Sequence, residues 1–551
     1  MANKGTTHNK QGIKHATPGG QTLEVNIEQL LAVVERTKDA LSEADHEQLA
    51  AAVRTLGILA QELKNKNVSI LRLKQLIFGS STESTSRVFG EKRAAQPDTD
   101  SQNDKPRAPG HGRRSAAAYT GAERVTVEHT TLHSGESCPG CLKGKLYPLA
   151  EPQKLVRITG MAPLSATVWE CERLRCNLCG EVHTAKAPAG VGEKKYDEAA
   201  STMVGLLKYG AGLPFNRIEK LQEGMGIPLP AATQWELVQP AAEDIKPAYE
   251  EMIRQAAQGD VLHNDDTTAK ILDLTPEQRE AVAADDEAED RTGIFTTGII
   301  SKRGNTPIAL FFTGPKHAGE NLADVLAKRA EDLGPPIQMC DALPANTAGY
   351  FESILASCNA HARRNFVDVA NHFPDECRQV IEFFLNVYRI DALARQQKLS
   401  PADRLLYHQA HSAALLADLQ SWAQRQLDEH LVEPNSGLGQ AFTYMLKHWD
   451  KLTLFLRKAA APLDNNICER ALKKAILHRK NSLFFRSLSG ARVADIFMSL
   501  IHTAELHDVN PFDYIVTLQR NRHELCRDPS RWMPWNYRNT AESRTTNTPS
   551  G

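Results

Sequence analysis

A segment near the carboxyl end of the chain combines one acid with a run of bases. Residues 464–470 read Asp-Asn-Asn-Ile-Cys-Glu-Arg and predict the start of a helix, with Glu469 as a carboxylate at its head. Residues 470–492 contain no acidic residue, and their bases are Arg470, Lys473, Lys474, Arg479, Lys480, Arg486 and Arg492. A lone carboxylate beside a cationic surface is typical of a site that holds both a divalent metal ion and a phosphate backbone.

Two further acids, Asp265 and Asp341, lie where predicted strands end. The first strand is expected at 260–266 and the fourth at 337–340. Between them the pattern predicts a hairpin and a helix, at residues 293–301, 307–313 and 318–333. In a ribonuclease-H-like sheet with this order, the first and fourth strands are neighbours. The two acids would therefore lie side by side although they are far apart in sequence.

Three carboxylates are enough to hold two magnesium ions, because magnesium keeps several water ligands. Two such ions about 3.5–4 Å apart activate the attacking oxygen and stabilise the leaving oxygen in phosphodiester cleavage. We assign Asp265 as the bridging ligand, with Asp341 and Glu469 each serving one ion. Asp266 is the nearest competitor, but strand alternation directs it to the opposite face. Taken singly each acid has a structural explanation, with Asp464 as a helix N-cap.

Basic side chains near these acids are candidates for contacts with DNA phosphate. They are Arg470, Lys473, Lys474, Arg479, Lys480, Arg363, Arg364, Arg113 and Arg114. His361 belongs to the same group as a phosphate contact, and the sequence gives no reason to make it a metal ligand. Surface ion pairing is the alternative role for the arginines.

Composition sets the class of protein. The chain has 551 residues, 41% of them hydrophobic, which is enough for several packed domains. The net charge of −2 does not indicate a nucleic-acid-binding protein, but the charge is segregated, with acids concentrated at 277–290 and bases after Glu469. No apolar run approaches the length of a membrane span or a signal peptide. The sequence therefore predicts a cytoplasmic protein.

Four of the ten cysteines form two Cys-x-x-Cys pairs, and these predict a structural zinc site. The pairs are Cys138 with Cys141 and Cys176 with Cys179. Four thiolates complete the tetrahedral coordination of zinc. Alternating residues between the pairs indicate a zinc ribbon, although the gap is longer than usual. A redox role would need a single pair in a thioredoxin-like pattern, which is absent.

The amino-terminal region predicts a helix followed by a tether. Leu49, Leu56, Leu63, Ile70 and Ile77 recur every seven residues, as in a coiled coil that joins copies of the chain. The alternative is a helix packed against its own domain. Residues 79–120 are rich in Gly, Pro, Ser and Arg, so they predict either an arm that follows a DNA groove or a plain linker.

Residues 199–257 predict helices with short breaks. One helix is expected to end at Gly224 and the next to begin near Ala231, after a turn that contains Gly226, Pro228 and Pro230. This arrangement fits a helix-turn-helix whose second helix enters a major groove. Two ordinary packed helices are the alternative.

These residues together resemble the transposases of insertion sequence 66 elements, bacterial enzymes of the DDE class. The resemblance covers most of the chain, and its motifs are Phe78-Gly79-Ser80-Ser81, the paired cysteines, residues 208–217, His263-x-Asp265-Asp266-Thr267, residues 361–364, Asp464-Asn465-Asn466-x-x-Glu469-Arg470 and residues 479–481. Two departures stand out. The family commonly has Asp-Glu-Thr where this chain has Asp265-Asp266-Thr267, and Asp-Gly-Tyr where it has Asp341-Ala342-Leu343.

The resemblance implies three acidic roles for Asp265, Asp341 and Glu469. It also implies binding to terminal inverted repeats, cleavage and strand transfer that depend on Mg²⁺ or Mn²⁺, and no high-energy cofactor. The competing hypotheses are a DNA-binding regulator with an inactive ribonuclease-H-like domain, and a repair nuclease that acts on branched DNA.

The predicted fold is multidomain α+β with a ribonuclease-H-like mixed-sheet core. Its segments are 1–22 disordered, 23–79 a coiled-coil helix, 80–134 a basic linker, 135–190 a zinc ribbon, 191–257 a helix-turn-helix-like region, 258–368 the first part of the core, 369–462 a helical insertion, 463–508 the catalytic helix and basic region, and 509–551 a C-terminal tail. A homo-oligomer through residues 49–77 is expected, with double-stranded DNA as the partner.

Overall fold

A computed structural model places residues in two units, 1–90 and 91–551. The described residues are 34, 36, 46, 133–137, 139, 143, 145–147, 163–175, 182–186, 188, 194–274, 293–349 and 351–545. The first unit is represented only by the three isolated residues, which are helical. The predicted coiled coil at 49–77 and the linker residues Arg113 and Arg114 lie outside the described residues.

The predicted zinc region is described only around its cysteines. Strand β1 (Arg173–Arg175) pairs antiparallel with β2 (Val182–Thr184), and an isolated bridge joins Ser137 to Lys145. The four cysteines, Cys138, Cys141, Cys176 and Cys179, lie outside the described residues. In sequence, each pair falls between two backbone segments that pair with each other. The zinc ribbon stays a prediction.

A five-stranded mixed sheet forms the centre of the second unit. Its strands are β3 (Val261–Ala269), β5 (Ile294–Arg303), β6 (Thr306–Gly314), β7 (Ile337–Cys340) and β8 (Ile354–Ser357), in the order β6-β5-β3-β7-β8. Strand β3 is antiparallel to β5 and parallel to β7. The prediction that the first and fourth strands of the core are neighbours is therefore confirmed, as is the hairpin of β5 and β6. A short separate pair joins β4 (Ile271–Asp273) to β9 (Phe485–Ser487).

Three helices precede the sheet, close to their predicted places. They are α1 (Glu198–Gly205), which continues as a π-helical turn over Leu206–Gly210, α2 (Phe215–Gly224) and α3 (Ala231–Ala256). Helix α3 contacts α1 and the sheet, and it buries Val238, Ile245 and Met252 completely. The long second helix of the predicted helix-turn-helix is therefore a core element along most of its length.

The remaining helices surround the sheet and build the insertion. They are α4 (Ala318–Leu326), α5 (Asn359–Val369), α6 (Pro374–Gln396), α7 (Pro401–His411), α8 (Ala413–Asp428), α9 (Gly437–Lys447), α10 (Trp449–Leu452), α11 (Asn466–Ser482) and α12 (Leu488–Leu506). Helices α6 to α10 occupy the predicted insertion, and α11 carries Glu469. Strand β3 has helices on both faces, and accordingly all of residues 261–264 are buried.

Helix α12 lies along β6, and its side chains accept hydrogen bonds from backbone N–H groups of that strand. The N–H groups of Ala309, Phe311 and Thr313 donate to the side chains of Thr503, Ser499 and Asp495, at 3.0, 2.9 and 2.7 Å. The helix residues are four apart and the strand residues two apart, so one helical turn spans two strand residues. The helix therefore docks on the strand in a fixed register.

The residues after 509 form helices that belong to the core. Helices α13 (Pro511–Arg520), α14 (Arg522–Arg527) and α15 (Tyr537–Thr545) follow α12. Tyr514 is fully buried and donates its hydroxyl hydrogen to the carbonyl of Trp532 at 2.9 Å. The segment that the sequence treats as a tail packs against α1, α3 and α12 through α13.

Helices with the length and apolar character required to traverse a lipid bilayer are absent from the part of the chain that the structure describes.

The buried carboxyl group of Asp495 should make the stability of the fold depend on pH. Burial raises the pKa of Asp495 to about 7, against the hydrogen bonds from Thr313. The unfolded chain releases this proton near its ordinary pKa of 3.8, so between these pH values the folded state holds a proton that the unfolded state has lost. Stability should therefore fall with rising pH, by up to ~1.4 kcal/mol per pH unit.

The variant Asp495→Asn should lack this contribution, because an amide does not ionise and can still accept from the Thr313 N–H. We expect chemical denaturation between pH 5 and 8 to show a shallower loss of stability in Asp495→Asn than in the unmodified chain. Equal slopes would contradict the assignment.

Candidate active site

Asp265 and Asp341 extend from adjacent parallel strands at the same level. The register pairs His263 of β3 with Met339 of β7, and each acid lies two residues beyond its paired residue. Parallel neighbours are about 4.8 Å apart, and residues two apart share a face. The fold therefore brings Asp265, in the middle of β3, beside Asp341, which directly follows the carboxyl end of β7. The prediction that Asp265 lies where its strand ends is wrong, because β3 continues to Ala269.

Glu469 reaches the same place because α11 packs closely on the sheet. Asp265 lies opposite Gly298 of β5, and a Cβ at Gly298 would meet Leu472 of α11 at 3.0 Å. The thiol of Cys468 donates to the Gly298 carbonyl at 3.2 Å. Glycine at this position lets the helix approach, so Glu469 in its first turn lies close enough to Asp265 for its charge to raise the pKa of that carboxyl. Sequence analysis did not identify Gly298 as the position that allows this close approach.

The electrostatics of Asp265 reflect this convergence. Its pKa is raised to about 7, chiefly by burial, while the Asp266 N–H at 2.8 Å lowers it. The negative charges of Asp341, Asp266 and Glu469 raise it further. Three carboxylates with mutual repulsion in a half-buried site favour a bound cation.

Asp266 points away from this group, as predicted. Its carboxylate lies 3.0 Å from Nδ1 of His317, which precedes α4. The residue opposite it on β5, Thr297, accepts a hydrogen bond from Asn321 of α4 at 2.8 Å. Asp265 therefore faces α11, whereas Asp266 faces α4.

Asn465 joins the elements that carry the acids, a role that the sequence reasoning missed. It is fully buried, and its amide donates to the Asn264 carbonyl at 3.0 Å. Its Oδ1 lies 3.2 Å from Nδ1 of His263, and burial lowers the pKa of His263 to about 3, so the neutral ring donates this hydrogen bond. Asn465 also stands at the N-cap position that the sequence assigned to Asp464, whose carboxylate accepts from the Asn466 N–H at 3.1 Å.

A second chain of amides positions Asp341. Gln338 donates to the side chain of Asn264 at 3.0 Å and to the Asn346 carbonyl at 2.7 Å. Asn346 in turn donates to the carboxylate of Asp341, which also accepts from the Leu343 N–H. Gln338 and Asn264 have no exposed surface, and Asn346 is 2% exposed. The only feature of the sequence that indicates these hydrogen bonds is the presence of polar residues inside otherwise apolar strands.

The predicted phosphate-binding bases in the described part of the chain fall into three groups. Arg470, Lys473 and Lys480 are exposed on α11. Lys474 forms an ion pair with Glu505 at 2.9 Å, and Arg479 donates to the Thr268 carbonyl at 2.6 Å, so these two also hold the fold together. Arg363 and Arg364 are half-buried on α5, in the same helix as His361.

His361 lies beside Glu469. Ligand atoms of Cys358, His361 and Glu469 lie within 4.8 Å of one another, the one cluster of this kind among the described residues. One carboxylate oxygen of Glu469, Oε1, is buried and has no hydrogen-bond partner. A buried acceptor without a donor, next to two further carboxylates, fits a divalent cation.

Comparison with known proteins places these residues in a family context. The sequence model described as "Transposase IS66 family" matches residues 195–493. Two uncharacterized proteins of Sinorhizobium fredii (strain NBRC 101917 / NGR234) are similar along most of the chain. One, y4jD, is 26% identical over 525 residues, covering 90% of this chain and 98% of its own length. The other, y4hP, is 26% identical over 447 residues, covering 76% of this chain and 75% of its own.

Removing the charge of Asp265 should stabilise the metal-free protein. In Asp265→Asn the repulsion and the desolvation of a carboxylate disappear, while an amide oxygen can still accept from the Asp266 N–H. We expect the free energy of unfolding at pH 8, in chelator, to rise by roughly 1 kcal/mol or more. Denaturant titration measures it, with Asp266→Asn as the control that removes a neighbouring acid on the opposite face. A less stable Asp265→Asn protein would contradict convergence of the three acids.

Proposed function

The chain belongs to the IS66 family of transposases, and from that premise we propose that it binds the terminal repeats of its element and catalyses metal-dependent cleavage and transfer of DNA strands. The observation that supports the proposal is the equal register of Asp265 and Asp341 beside each other, together with the effect of the Asp341 and Glu469 charges on the pKa of Asp265. We assign the sheet to the ribonuclease-H-like class, on the strand order β6-β5-β3-β7-β8.

In the proposed site two Mg²⁺ or Mn²⁺ ions would be held by Asp341 and Glu469, one each, and Asp265 would be a ligand of both. Such ions, when bound, activate the attacking oxygen and stabilise the leaving oxygen. The protein's own contribution is position: the amides of Asn346 and Asn465 fix Asp341 and the start of α11. Half-burial of the carboxylates excludes part of the water and strengthens their hold on cations.

The exposed bases of α11 would bind the phosphates beside the scissile bond. Arg470 and Lys473 follow Glu469 within about one turn, so a phosphate held by them lies near the carboxylates. Arg363, Arg364, Lys480, Arg113 and Arg114 are proposed as further contacts, and Lys474 and Arg479 contribute their charge from within the fold. A DNA substrate also implies action in the cytoplasm.

Two auxiliary functions complete the proposal. A structural zinc ion is held by Cys138, Cys141, Cys176 and Cys179, which supports a ribbon for contact with DNA. The helix of residues 49–77 joins copies of the chain, so that the two element ends are held together.

Neutralising any of the three acids should abolish cleavage and preserve DNA binding. We expect Asp265→Asn, Asp341→Asn and Glu469→Gln to lower the rate of strand cleavage by roughly 1,000-fold or more, since metal stabilisation of charge supplies several kcal/mol. The measurement is cleavage of a labelled element end in Mg²⁺ or Mn²⁺, with binding followed separately by gel shift.

The matched control is Asp266→Asn, because Asp266 faces His317 rather than the site, and this variant should keep cutting. Normal cleavage by Glu469→Gln would refute the role of that residue. Specific binding by the unmodified chain without any nicking in either metal would support the regulator instead.

Zinc binding should depend on the paired cysteines. The purified chain should contain about one zinc ion. Cys176→Ser should lose it and unfold the region of residues 135–190, as measured by metal analysis and limited proteolysis. Cys171→Ser is the control, because Cys171 is a free thiol outside both pairs. A folded, metal-free preparation of the unmodified chain would end the zinc proposal.

A further inference from the structure

Two buried polar atoms face each other at the edge of the carboxylate group. Nδ1 of His361 lies 3.8 Å from Oε1 of Glu469. Both atoms are buried, and neither has a hydrogen-bond partner. Native proteins pair nearly all of their buried polar groups, so two unpaired atoms that point at the same gap require an explanation.

Loose packing does not explain the gap, because the two helix starts are tied together. The backbone N–H and the side-chain amide of Asn359 donate to the Leu463 carbonyl at 3.1 and 3.0 Å. The Asn465 N–H donates to Sγ of Cys358 at 3.2 Å. These bonds hold the first turn of α5, which carries His361, against the residues that precede Glu469.

The separation is wrong for a hydrogen bond and right for a shared ion. An N···O hydrogen bond is about 2.7–3.2 Å long. Metal–nitrogen and metal–oxygen bonds are each about 2.1 Å, so one ion between the two atoms would bridge 3.8 Å with a bent N–metal–O angle. The gap between His361 and Glu469 is therefore of the size that a divalent ion fills.

Cys358 belongs to the same cluster but already has a partner. Its Sγ accepts from Asn465, and it is 1% exposed. Cys358 is therefore a structural member of the cluster.

We propose that Nδ1 of His361 is the nitrogen ligand of the ion held by Glu469, and that this half of the site binds Mn²⁺ in preference to Mg²⁺. The inference rests on the proposed function and adds a fourth protein ligand to the three carboxylates. Neutral imidazole suits transition metals, whereas magnesium favours oxygen ligands. The ring would carry its hydrogen on Nε2, leaving the Nδ1 lone pair for the ion.

The test measures binding of Mn²⁺ to the full chain without DNA. Pulsed electron paramagnetic resonance of the unmodified protein should detect coupling between the ion and an imidazole nitrogen. In His361→Ala the coupling should vanish, and Mn²⁺ affinity at one site should fall at least ~10-fold, by the scale of lost metal-site contacts. The affinity for Mg²⁺ should change much less.

Two variants separate ligation from other roles. Cys358→Ser should retain both the nitrogen coupling and Mn²⁺ affinity, because a hydroxyl can still accept from the Asn465 N–H. His361→Asn keeps a hydrogen-bond donor but provides a poor metal ligand, so it should lose Mn²⁺ affinity as His361→Ala does. If His361→Asn bound Mn²⁺ normally, His361 would be a hydrogen-bond partner of Glu469 and the inference would be overturned.

The unmodified protein keeps the inference testable even if the histidine variants fail to fold. Absence of nitrogen coupling in a chain that cleaves DNA normally would overturn the histidine ligand and leave the proposed function intact. Nitrogen coupling that His361→Ala abolishes, in a chain that never cleaves DNA, would support the ligand and refute the function.

Discussion

A buried chain of amide hydrogen bonds links the elements that carry Asp265, Asp341 and Glu469. Asn465 fastens the start of α11 to β3, and Gln338 and Asn346 continue the chain from Asn264 to Asp341. Asparagine and glutamine can donate and accept at once, so each can link two elements that have no backbone pairing. Such a chain is stable only when nearly all of its members are satisfied, and a single loss exposes several unpaired groups. The positions of the carboxylates therefore depend on residues that carry no charge.

The site itself works against the stability of the fold. Burial and like charge disfavour ionisation of Asp265, while the orphaned atoms of Glu469 and His361 gain nothing from the folded protein alone. Local destabilisation of this kind is expected where binding energy is to be recovered from a ligand. Tight packing of α11 at Gly298 and the amide chain hold these elements in place against the repulsion.

The sequence predicted the strand order of the core and its hairpin well, for physical reasons. Strand order follows from the succession of apolar runs and turns, and neighbouring strands then bring Asp265 and Asp341 together. Strand alternation was enough to direct Asp266 to the opposite face. The contacts of Gly298, Asn465 and His361 could not be predicted in this way, because each depends on a close approach between segments far apart in sequence.

The contacts of the basic residues could not be predicted from the sequence either. A count of charges along α11 cannot distinguish Lys473, which is exposed, from Lys474, which Glu505 neutralises. The prediction of a tail after residue 509 did not anticipate the packed helices there, for a related reason. Its helices are short, and the burial of α13 arises from surfaces that α1, α3 and α12 provide. The coiled coil and the zinc ribbon stay predictions, since the residues that define them lie outside the described part of the chain.

The docking of α12 on β6 has a consequence for assembly. An outer strand with free N–H groups can recruit a strand from another molecule, which leads to swapped dimers or aggregates. Here the side chains of Asp495, Ser499 and Thr503 already occupy those groups on β6. Growth of the sheet is blocked on this side. If copies of the chain associate as proposed, they recognise one another through other surfaces, which keeps association separate from uncontrolled strand exchange.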